Sequence, residues 1–341
     1  MFLYDVTRNG QPVYDPIVNQ SLDNYLVNDL HLSGHGLMIY VNQPAVIIGV
    51  HQNAYNEVNL PYLKDHNIKL VRRTSGGGAV YHDFGNLIFE NIVIGDTSDF
   101  GHFNVFADPI LKALQAMGAT QAQLRGRNDM VLGNQKFSGM TMFKAGDAFA
   151  AGGTLMYNLN LEAASAVLTP DAEKLASKGV GSVNSRVTNI MSYLRPEFQN
   201  LSIEQFRTEL LKRVFNVNDL SKIETYHLND HDWSIIDQRL AGKYDTDAWN
   251  FGKNPGYDQY RSHHFDIGTV AFNFSVNDQR ISAFKTYGDF INGGDPAIVD
   301  AVMLGVPFTQ QGLTAALTAG DYQSNIGNMP VEELVNLILG H

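Results

Sequence analysis

The chain has 341 residues and a formal net charge of −11; 44% of its residues are apolar and only 17% are charged. This length suits one large domain with a smaller one attached, and the composition supplies a buried core without a signature of disorder. The absence of cysteine excludes disulfides, zinc–thiolate sites and a thiol nucleophile. The acidic balance excludes a general nucleic-acid binder, which needs a basic face. No signal peptide and no apolar run of about 18 residues is recognisable, so we expect a cytoplasmic protein.

Apolar periodicity predicts alternating helices and strands over the first half of the chain. A helix is predicted at residues 15–30, where apolar side chains recur at helical spacing. Two strands of one sheet, GLMIYV and AVIIGV, follow and are joined by a turn at residues 42–44. A further strand, IKLVRR, enters a glycine-rich loop that leads into AVY. The run LIFENIVI is then predicted to continue the sheet.

The second half of the chain predicts more of the same architecture and then a change of pattern. A helix ends at Gly118, a hairpin turns about Gly133, and IEQFRTELLKRVF forms an amphipathic helix. Near the carboxyl end, strands with a turn near Asn277 precede the helical runs PAIVDAVML and PVEELVNLIL. We therefore predict an α+β (α/β-like) fold with a catalytic domain at residues 1–245 and a small α+β accessory domain at residues 246–341.

The strongest local signal for a ligand site is the run of glycines from Gly76 to Gly78, which follows Arg72 and Arg73. Consecutive glycines expose backbone N–H groups and permit close approach by a carboxylate or phosphate. Because neighbouring side chains of a strand face opposite ways, only one of the two arginines should line the site. The alternative is a tight bend with both arginines in solvent. Neither of the common nucleotide-binding glycine signatures is present.

A second signal lies in the predicted hairpin, which brings Asn128 and Asp129 close to Lys136. Asp129 is a candidate ligand for Mg²⁺, which takes only one or two protein carboxylates, and Lys136 offers a compact positive charge to phosphate or carboxylate oxygens. The alternative is a lysine on the wet face of a hairpin. A third segment, residues 174–189, is rich in small, hydroxyl and basic side chains and is typical of a loop that folds over a nucleotide.

Taken in order, these segments resemble the lipoate–protein ligase family over nearly the whole chain. The resemblance rests on DPIVNQSLDNYL, PAVIIGVHQNAYNEVN, RRTSGGGAVYHDFGN, GRNDMVLGNQKFSG, GGTLMYNLNL, KLASKGVGSVNSRVTN and WNFGKNP with a later GDF. It implies a catalytic domain of the biotin/lipoate-ligase type followed by a small accessory domain.

The resemblance also implies a set of site residues. Lys136 looks like the family's active lysine, and Asp129 looks like the residue that binds the metal ion. The residues implied to bind lipoate and nucleotide are Arg72, Arg73, Ser75, Gly76, Gly77, Gly78, Ala79, Val80, Tyr81, His82, Asn86, Asn128, Ser138, Gly139, Gly153, Thr154, Leu155, Val180, Ser182 and Arg186.

The implied reaction joins lipoate to a protein lysine in two steps. Lipoate and ATP would give lipoyl-AMP and pyrophosphate with Mg²⁺ present, and the acyl group would then pass to an acceptor. The expected acceptors are lipoyl-domain proteins, namely acyltransferase subunits of 2-oxoacid dehydrogenases and the glycine-cleavage H protein. We expect no nucleic-acid or membrane partner.

There are three alternatives to this function, and the composition excludes the first of them. An acyltransferase of the same fold needs a cysteine thiolate, which this chain lacks. A biotin ligase has a different glycine loop, and a catalytically silent lipoate-binding or regulatory module would release no pyrophosphate. One departure from the family pattern is Ala151-Gly152, where many relatives have a histidine pair.

Overall fold

The computed structural model describes residues 1–168, 187–252, 256–291 and 294–341. The strands, in chain order, are β1 (Phe2–Asp5), β2 (Thr7–Arg8), β3 (Gln11–Pro12), β4 (Gly34–Tyr40), β5 (Ala45–Ile48), β6 (Lys69–Arg72), β7 (Val80–His82), β8 (Asn86–Ile94), β9 (Ala122–Arg125), β10 (Asp129–Leu132), β11 (Gln135–Ala145), β12 (Ala148–Met156), β13 (Thr225–His227), β14 (Gln259–Phe265), β15 (Gly268–Asn277) and β16 (Arg280–Gly288).

The helices occupy the connections between these strands and the end of the chain. They are α1 (Pro16–Asn28), α2 (Ala54–Glu57), α3 (Leu60–Asp65), α4 (Phe103–Ala116), α5 (Leu161–Val167), α6 (Ile203–Val214), α7 (Asp230–Arg239), α8 (Asp247–Asn250), α9 (Pro296–Met303), α10 (Gln310–Ala319), α11 (Tyr322–Asn325) and α12 (Val331–Leu339). A π-helical turn at Leu240–Tyr244 extends α7.

An eight-stranded sheet with the order β13-β1-β4-β8-β12-β11-β10-β9 organises the larger part of the chain. β1 runs parallel to both of its neighbours, and the other pairs are antiparallel. Helices cover both faces of the sheet, so that along β4 Leu37 and Ile39 pack with α4 and α6, while Met38 and Tyr40 pack with α1 and α7. Burial on both faces explains why these strands are continuous apolar runs.

A second sheet of three strands carries the glycine-rich loop. β5 lies in its middle, parallel to β6 and antiparallel to β7. The prediction that β4 and β5 belong to one sheet is therefore wrong, and so is the prediction that β8 continues the sheet of β7. In both cases a short connection moves the chain from one sheet to the other. An apolar run shows that a strand is buried, but it does not show which strand is its neighbour.

The predicted helices begin where side chains cap them. Asp15 accepts a hydrogen bond from the Ile17 amide at the start of α1. Ser202 and Gln205 form a reciprocal capping box at the start of α6. The apolar stripe predicted on α6 is buried in the core between the helix and the large sheet. Capping side chains thus account for where these two helices start, and the apolar stripe accounts for the face that α6 buries.

The carboxyl-terminal part has a sheet and a core of its own. β14, β15 and β16 form an antiparallel sheet, and the hairpin between β15 and β16 turns at Asp278 and Gln279, both with positive φ. Phe272 and Phe274 of β15 pack against α9, α10 and α12. The helix α10 was not predicted, because its sequence is rich in alanine, threonine and glycine and has little apolar contrast. The boundary at residues 245 and 246 stays a prediction.

Candidate active site

Two adjacent cavities lie where the loop of residues 73–79, the glycine loop, meets the β10–β11 hairpin and β12. The outer cavity has a volume of about 450 Å³ and the inner cavity about 120 Å³. Both are lined by Gly77, Gly78, Val80, Asn128, Lys136, Gly139 and Thr154. The shared wall therefore combines the two segments that the sequence singled out with a third strand.

Arg73 holds the glycine loop in shape from the side of the inner cavity. Its guanidinium donates to the carbonyl oxygens of Gly76 and Gly78 at 2.7 and 2.9 Å. Gly77 has a φ of +92°, a backbone conformation that favours glycine. Burial lowers the pKa of Arg73 to about 10, which still leaves the side chain charged at neutral pH. A fixed positive charge therefore lies behind the loop.

Arg72 points away from both cavities. Its guanidinium donates to carbonyl oxygens of Gly49, Val50, Gln52, Trp249 and Asn250. The Trp249 indole donates in return to the Arg72 carbonyl at 2.8 Å, and the Asn250 side chain accepts from the Arg72 amide at 3.0 Å. The structure thus corrects the assignment of Arg72 to the binding set. It anchors α8, part of the WNFGKNP segment, on β6, and alternation along the strand places only Arg73 at the site.

Lys136 and Asp129 form an ion pair across the hairpin at the wall between the cavities. Lys136 Nζ lies 2.6 Å from Asp129 Oδ1, and both side chains are about three-quarters buried. Asp129 pairs with Gly139, and Val131, two residues further along β10, pairs with Lys136. A bulge between Met130 and Val131 shifts the register, and the side chains of Asp129 and Lys136 meet although the two residues are not paired directly. A Cβ at Gly139 would lie 2.5 Å from Lys136 Nζ. Glycine at this position therefore leaves the room that the ammonium group occupies.

Three further contacts fix the wall around this pair. The side-chain amide of Asn128 donates to the Met140 carbonyl oxygen at 2.6 Å. A Cβ at Gly153 would lie 2.4 Å from the Gly139 carbonyl oxygen, so glycine there lets β12 approach β11 closely. Thr141 donates to the Gly76 carbonyl at 3.0 Å and ties β11 to the glycine loop. These contacts join three strands and the glycine loop into one wall.

The outer cavity has one apolar side and one side that comes from the carboxyl-terminal part. Met156, Leu159 and Leu161 are among its apolar lining residues. Asp289 and Ile291 follow β16 and close it from the opposite side. A cavity of this volume, apolar on one side and charged at one wall, has the size and character of a ligand site.

The inner cavity reaches into the large sheet and is strongly polar. His82 lies there with Nδ1 3.1 Å from the Asn42 side-chain nitrogen. The Asn42 oxygen already accepts from Asn19 at 2.8 Å, so the Asn42 nitrogen is the donor and His82 Nδ1 the acceptor. Burial, followed by the charge of Arg73, lowers the pKa of His82 to about 3. His82 is therefore neutral and carries its proton on Nε2.

Two buried carboxyl groups also line the inner cavity. Burial raises the pKa of Asp23 on α1 to about 7. Burial and the neighbouring charge of Asp23 raise the pKa of Glu90 on β8 well above its usual range. The pair therefore keeps a proton at neutral pH. The sequence analysis missed both residues, although a carboxylate inside an apolar run such as LIFENIVI is a signal that could have found Glu90.

Most of the predicted site residues meet at these two cavities. The inner cavity is lined by Arg73, Ser75, Gly77, Gly78, Val80, His82, Asn128, Lys136, Gly139, Gly153 and Thr154. The outer cavity adds Ala79, Tyr81 and Asp129. Those that line neither cavity are Arg72, Gly76, Asn86, Ser138 and Leu155. The predictions for Val180, Ser182 and Arg186 lie outside the described residues.

Comparison with known proteins identifies the family. Residues 15–215 match the family described as lipoyl protein ligase A/B catalytic domain, and residues 254–338 match the bacterial lipoate protein ligase C-terminus. The chain belongs to the lipoate–protein ligase family. Its full-length relatives in that family include lipoate–protein ligase LplJ of Bacillus subtilis, 34% identical over 97% of this chain and 98% of the relative. Lipoate–protein ligase 1 of Staphylococcus aureus is 37% identical over 96% and 97%.

Solved structures of lipoate–protein ligases share the fold. P. falciparum LipL1 in complex with lipoate has a TM-score of 0.71 at 20% identity, covering 97% of this chain and 98% of that one. A lipoate–protein ligase A bound with ATP has a TM-score of 0.57 at 23% identity, covering 70% and 94%. The predicted mixture of sheets and helices with a carboxyl-terminal accessory part is confirmed.

The described part of this ligase-family chain contains no group of three metal-binding side chains. Mg²⁺ that arrives with a nucleotide needs only one or two protein carboxylates, and Asp129 at the outer cavity fits that smaller requirement. Within the same ranges no helix is long and apolar enough to cross a bilayer.

Proposed function

We propose that the chain is an ATP-dependent lipoate–protein ligase that works through a lipoyl-adenylate. The observation that carries this proposal is the position of Lys136, which lines both cavities. A carboxylate placed at Lys136 can extend its tail into the inner cavity, while a nucleotide occupies the larger outer cavity. One ammonium group then contacts both reacting partners, which family membership makes lipoate and ATP.

In the first step a carboxylate oxygen of lipoate attacks the α-phosphorus of ATP. The new bond is a P–O bond, and the bond to pyrophosphate breaks. The ammonium of Lys136 attracts both the carboxylate and the phosphate, and it offsets the negative charge that develops at phosphorus. Arg73 fixes the glycine loop behind the reactants, so no reorganisation of the loop is needed. Mg²⁺, held by Asp129 and the phosphates, would supply further positive charge.

In the second step a lysine amine of the acceptor attacks the acyl carbon. A C–N bond forms, the bond to AMP breaks, AMP leaves with the electron pair, and the amine loses a proton. Lys136 remains beside the departing phosphate and stabilises its charge. Holding the acid, the nucleotide and the amine in line is worth a large rate factor, because effective molarities of well-oriented groups reach about 10⁵ M.

The acceptors that we propose are proteins with a lipoyl domain. A bi-partite lipoate–protein ligase from Thermoplasma acidophilum, 25% identical with a TM-score of 0.60, is described together with its E2 lipoyl domain. Acyltransferase subunits of 2-oxoacid dehydrogenases and the glycine-cleavage H protein fit this class. A cytoplasmic location fits such acceptors. The division into a catalytic part at residues 1–245 and an accessory part at residues 246–341 belongs to the same proposal.

ATP–pyrophosphate exchange with purified protein and Mg²⁺ tests the first step. We expect exchange that requires lipoate, and we expect Lys136→Ala to abolish it. Lys144→Ala is the matched control, because Lys144 lies on the same strand and is exposed, and its ammonium donates to the Thr97 hydroxyl and lies over the Phe100 ring, away from both cavities. Exchange by Lys136→Ala at the normal rate contradicts the role of that lysine. If the protein binds lipoate but catalyses no exchange, the proposed ligase function is wrong and the alternative of a catalytically silent binding module is supported.

A further inference from the structure

The turn between β9 and β10 places an arginine at the outer cavity. Arg127 is the middle residue of the turn at residues 126–128, and its exposed side chain lines the outer cavity but not the inner one. Its guanidinium carbon lies 5.7 Å from the centre of the Phe103 ring, which is a cation–π contact. Among the described residues, no carboxylate forms an ion pair with Arg127. Its charge is therefore available to a molecule in the cavity.

The backbone that carries Arg127 is fixed to the strand of Lys136. Gly126 has a φ of +62°, which the tight turn requires. The next residue, Asn128, makes two hydrogen bonds to Met140 on β11. The Asn128 side chain donates to the Met140 carbonyl at 2.6 Å, and the Met140 amide donates to the Asn128 carbonyl at 2.8 Å. Arg127 is thus held at a defined place next to the wall between the cavities.

The charges around the outer cavity make Arg127 distinctive. The described lining includes four carboxylic acid side chains, one arginine and one lysine, namely Glu57, Asp129, Asp266, Asp289, Arg127 and Lys136. Lys136 already forms an ion pair with Asp129. A triphosphate carries several negative charges, and a single Mg²⁺ offsets only part of them. Within this described lining, Arg127 is the cation that remains to compensate phosphate charge.

The position of Arg127 on the outer cavity alone also matches the path of the leaving group. In the proposed first step the carboxylate reaches Lys136 from the inner cavity and attacks the α-phosphorus. An in-line displacement sends the leaving group away from the attacking oxygen, so pyrophosphate departs into the outer cavity. The P–O bond that breaks leaves its electron pair on pyrophosphate. A guanidinium can bond to that phosphate through two parallel N–H groups.

We propose that Arg127 binds the β- and γ-phosphates of ATP and holds pyrophosphate as it leaves. The inference rests on the proposed function, because it assigns the pyrophosphate side of the adenylation site to one side chain. It separates two positive groups by role. Lys136 acts at the reacting carboxylate and α-phosphate, and Arg127 acts at the phosphates that depart. Arg127 should therefore matter for ATP and pyrophosphate but not for AMP.

Titration calorimetry at constant ionic strength, with Mg²⁺ and without lipoate, tests this difference. The probes are ATP and AMP, and the proteins are the wild type, Arg127→Gln, Arg127→Lys and the control Arg125→Gln. Arg125 lies two residues earlier in the same hairpin and is also exposed, but it donates to Asn134 Oδ1 at 2.9 Å and lines neither cavity. Thermal melting of each variant establishes that it is folded.

We expect Arg127→Gln to weaken ATP binding about 10-fold, as the loss of a charged hydrogen bond does, and to change AMP binding less than about 2-fold. Arg127→Lys should fall between Arg127→Gln and the wild type, because it keeps the charge but loses the planar pair of donors. Arg125→Gln should bind both nucleotides like the wild type. An equal loss for ATP and AMP in Arg127→Gln, no loss for ATP, or no binding of ATP by the wild type overturns the inference.

Kinetics separate the pyrophosphate role from a role in acceptor binding. In ATP–pyrophosphate exchange, Arg127→Gln should raise the half-saturating concentration of pyrophosphate about 10-fold and leave that of lipoate unchanged. Transfer from synthetic lipoyl-AMP to a lipoyl domain involves no pyrophosphate and should keep its wild-type rate. A loss in transfer as large as the loss in exchange contradicts the assignment. If Arg127→Gln weakens ATP selectively but the wild type shows no lipoate-dependent exchange, the phosphate site stands and the ligase function fails.

Discussion

Replacing Gly139 with alanine should displace the ammonium of Lys136 without changing the fold. The backbone of Gly139 is not in the left-handed region, so alanine can adopt it in the strand. The new Cβ would lie 2.5 Å from Lys136 Nζ and 2.7 Å from Cε, and the next neighbour, Asp129 Oδ1, is 3.9 Å away. The atoms that must move therefore belong to the flexible end of one side chain.

The size of the effect follows from these distances. Non-bonded heavy atoms are comfortable at roughly 3.5 Å, so Nζ must move by about 1 Å. A misplacement of about 1 Å in a catalytic arrangement costs on the order of 100-fold in rate. We therefore expect Gly139→Ala to lower kcat/KM for lipoate-dependent pyrophosphate exchange about 100-fold, with a Tm close to that of the wild type.

The matched control is Gly242→Ala, because nothing lies within 4 Å of a Cβ at Gly242. This variant should keep both its activity and its Tm. Wild-type activity in Gly139→Ala would refute the reasoning. A Tm lowered by many degrees would show that backbone rather than the lysine gives way.

Three more outcomes are expected. Asp129→Asn should lower exchange about 100-fold and raise the Mg²⁺ concentration needed for half-maximal activity; an unchanged Mg²⁺ dependence would remove the metal role. Arg72→Met should destabilise the fold by about 3 kcal/mol in urea denaturation, because it leaves buried carbonyl oxygens without donors; a loss below about 0.5 kcal/mol would contradict the anchoring role. The pKa of His82 is lowered to about 3, below its ordinary value of roughly 6.5, so the unfolded chain binds the proton more tightly and stability falls as the pH drops below about 6.5. The contribution of His82 to this loss should be about 2 kcal/mol at pH 5 relative to pH 8, and His82→Gln should remove that contribution.

The sequence predicted the elements whose signals are local. The α6 helix shows its buried stripe at a spacing of three and four residues, whereas the capping box of Ser202 and Gln205 at its start was found only in the structure. The hairpin turn at Gly133, where φ is +59°, follows from the glycine between two apolar runs. The pairing of strands is not a local property, because paired strands can lie far apart in the sequence. Both predictions about sheet membership were therefore wrong. β5 and β7 lie beside each other in the small sheet although each had been joined to a strand of the large one.

The site was predictable in part for the same reason. The glycine loop and the Asp129–Lys136 pair stand in short segments whose residue types indicate anion chemistry. The sequence also predicted that only one of two adjacent arginines lines the site, but only the structure showed that Arg73, and not Arg72, lines the inner cavity. Asp23 and Glu90 were missed, because a carboxylate on a helix and another on a strand become neighbours only when the sheet packs on the helix.

The sequence by itself determined the amphipathic helices, the turns, the absence of thiol chemistry and the family resemblance carried by seven segments in order. These properties depend on residues close together in the chain or on composition. The tertiary structure alone decided the neighbours of each strand and the direction of the Arg72 side chain away from both cavities. It also decided the acidic end of the inner cavity and the closure of the outer cavity by residues after β16. Each of these depends on contacts between segments far apart in sequence, whose geometry is fixed by packing rather than by local conformational preference.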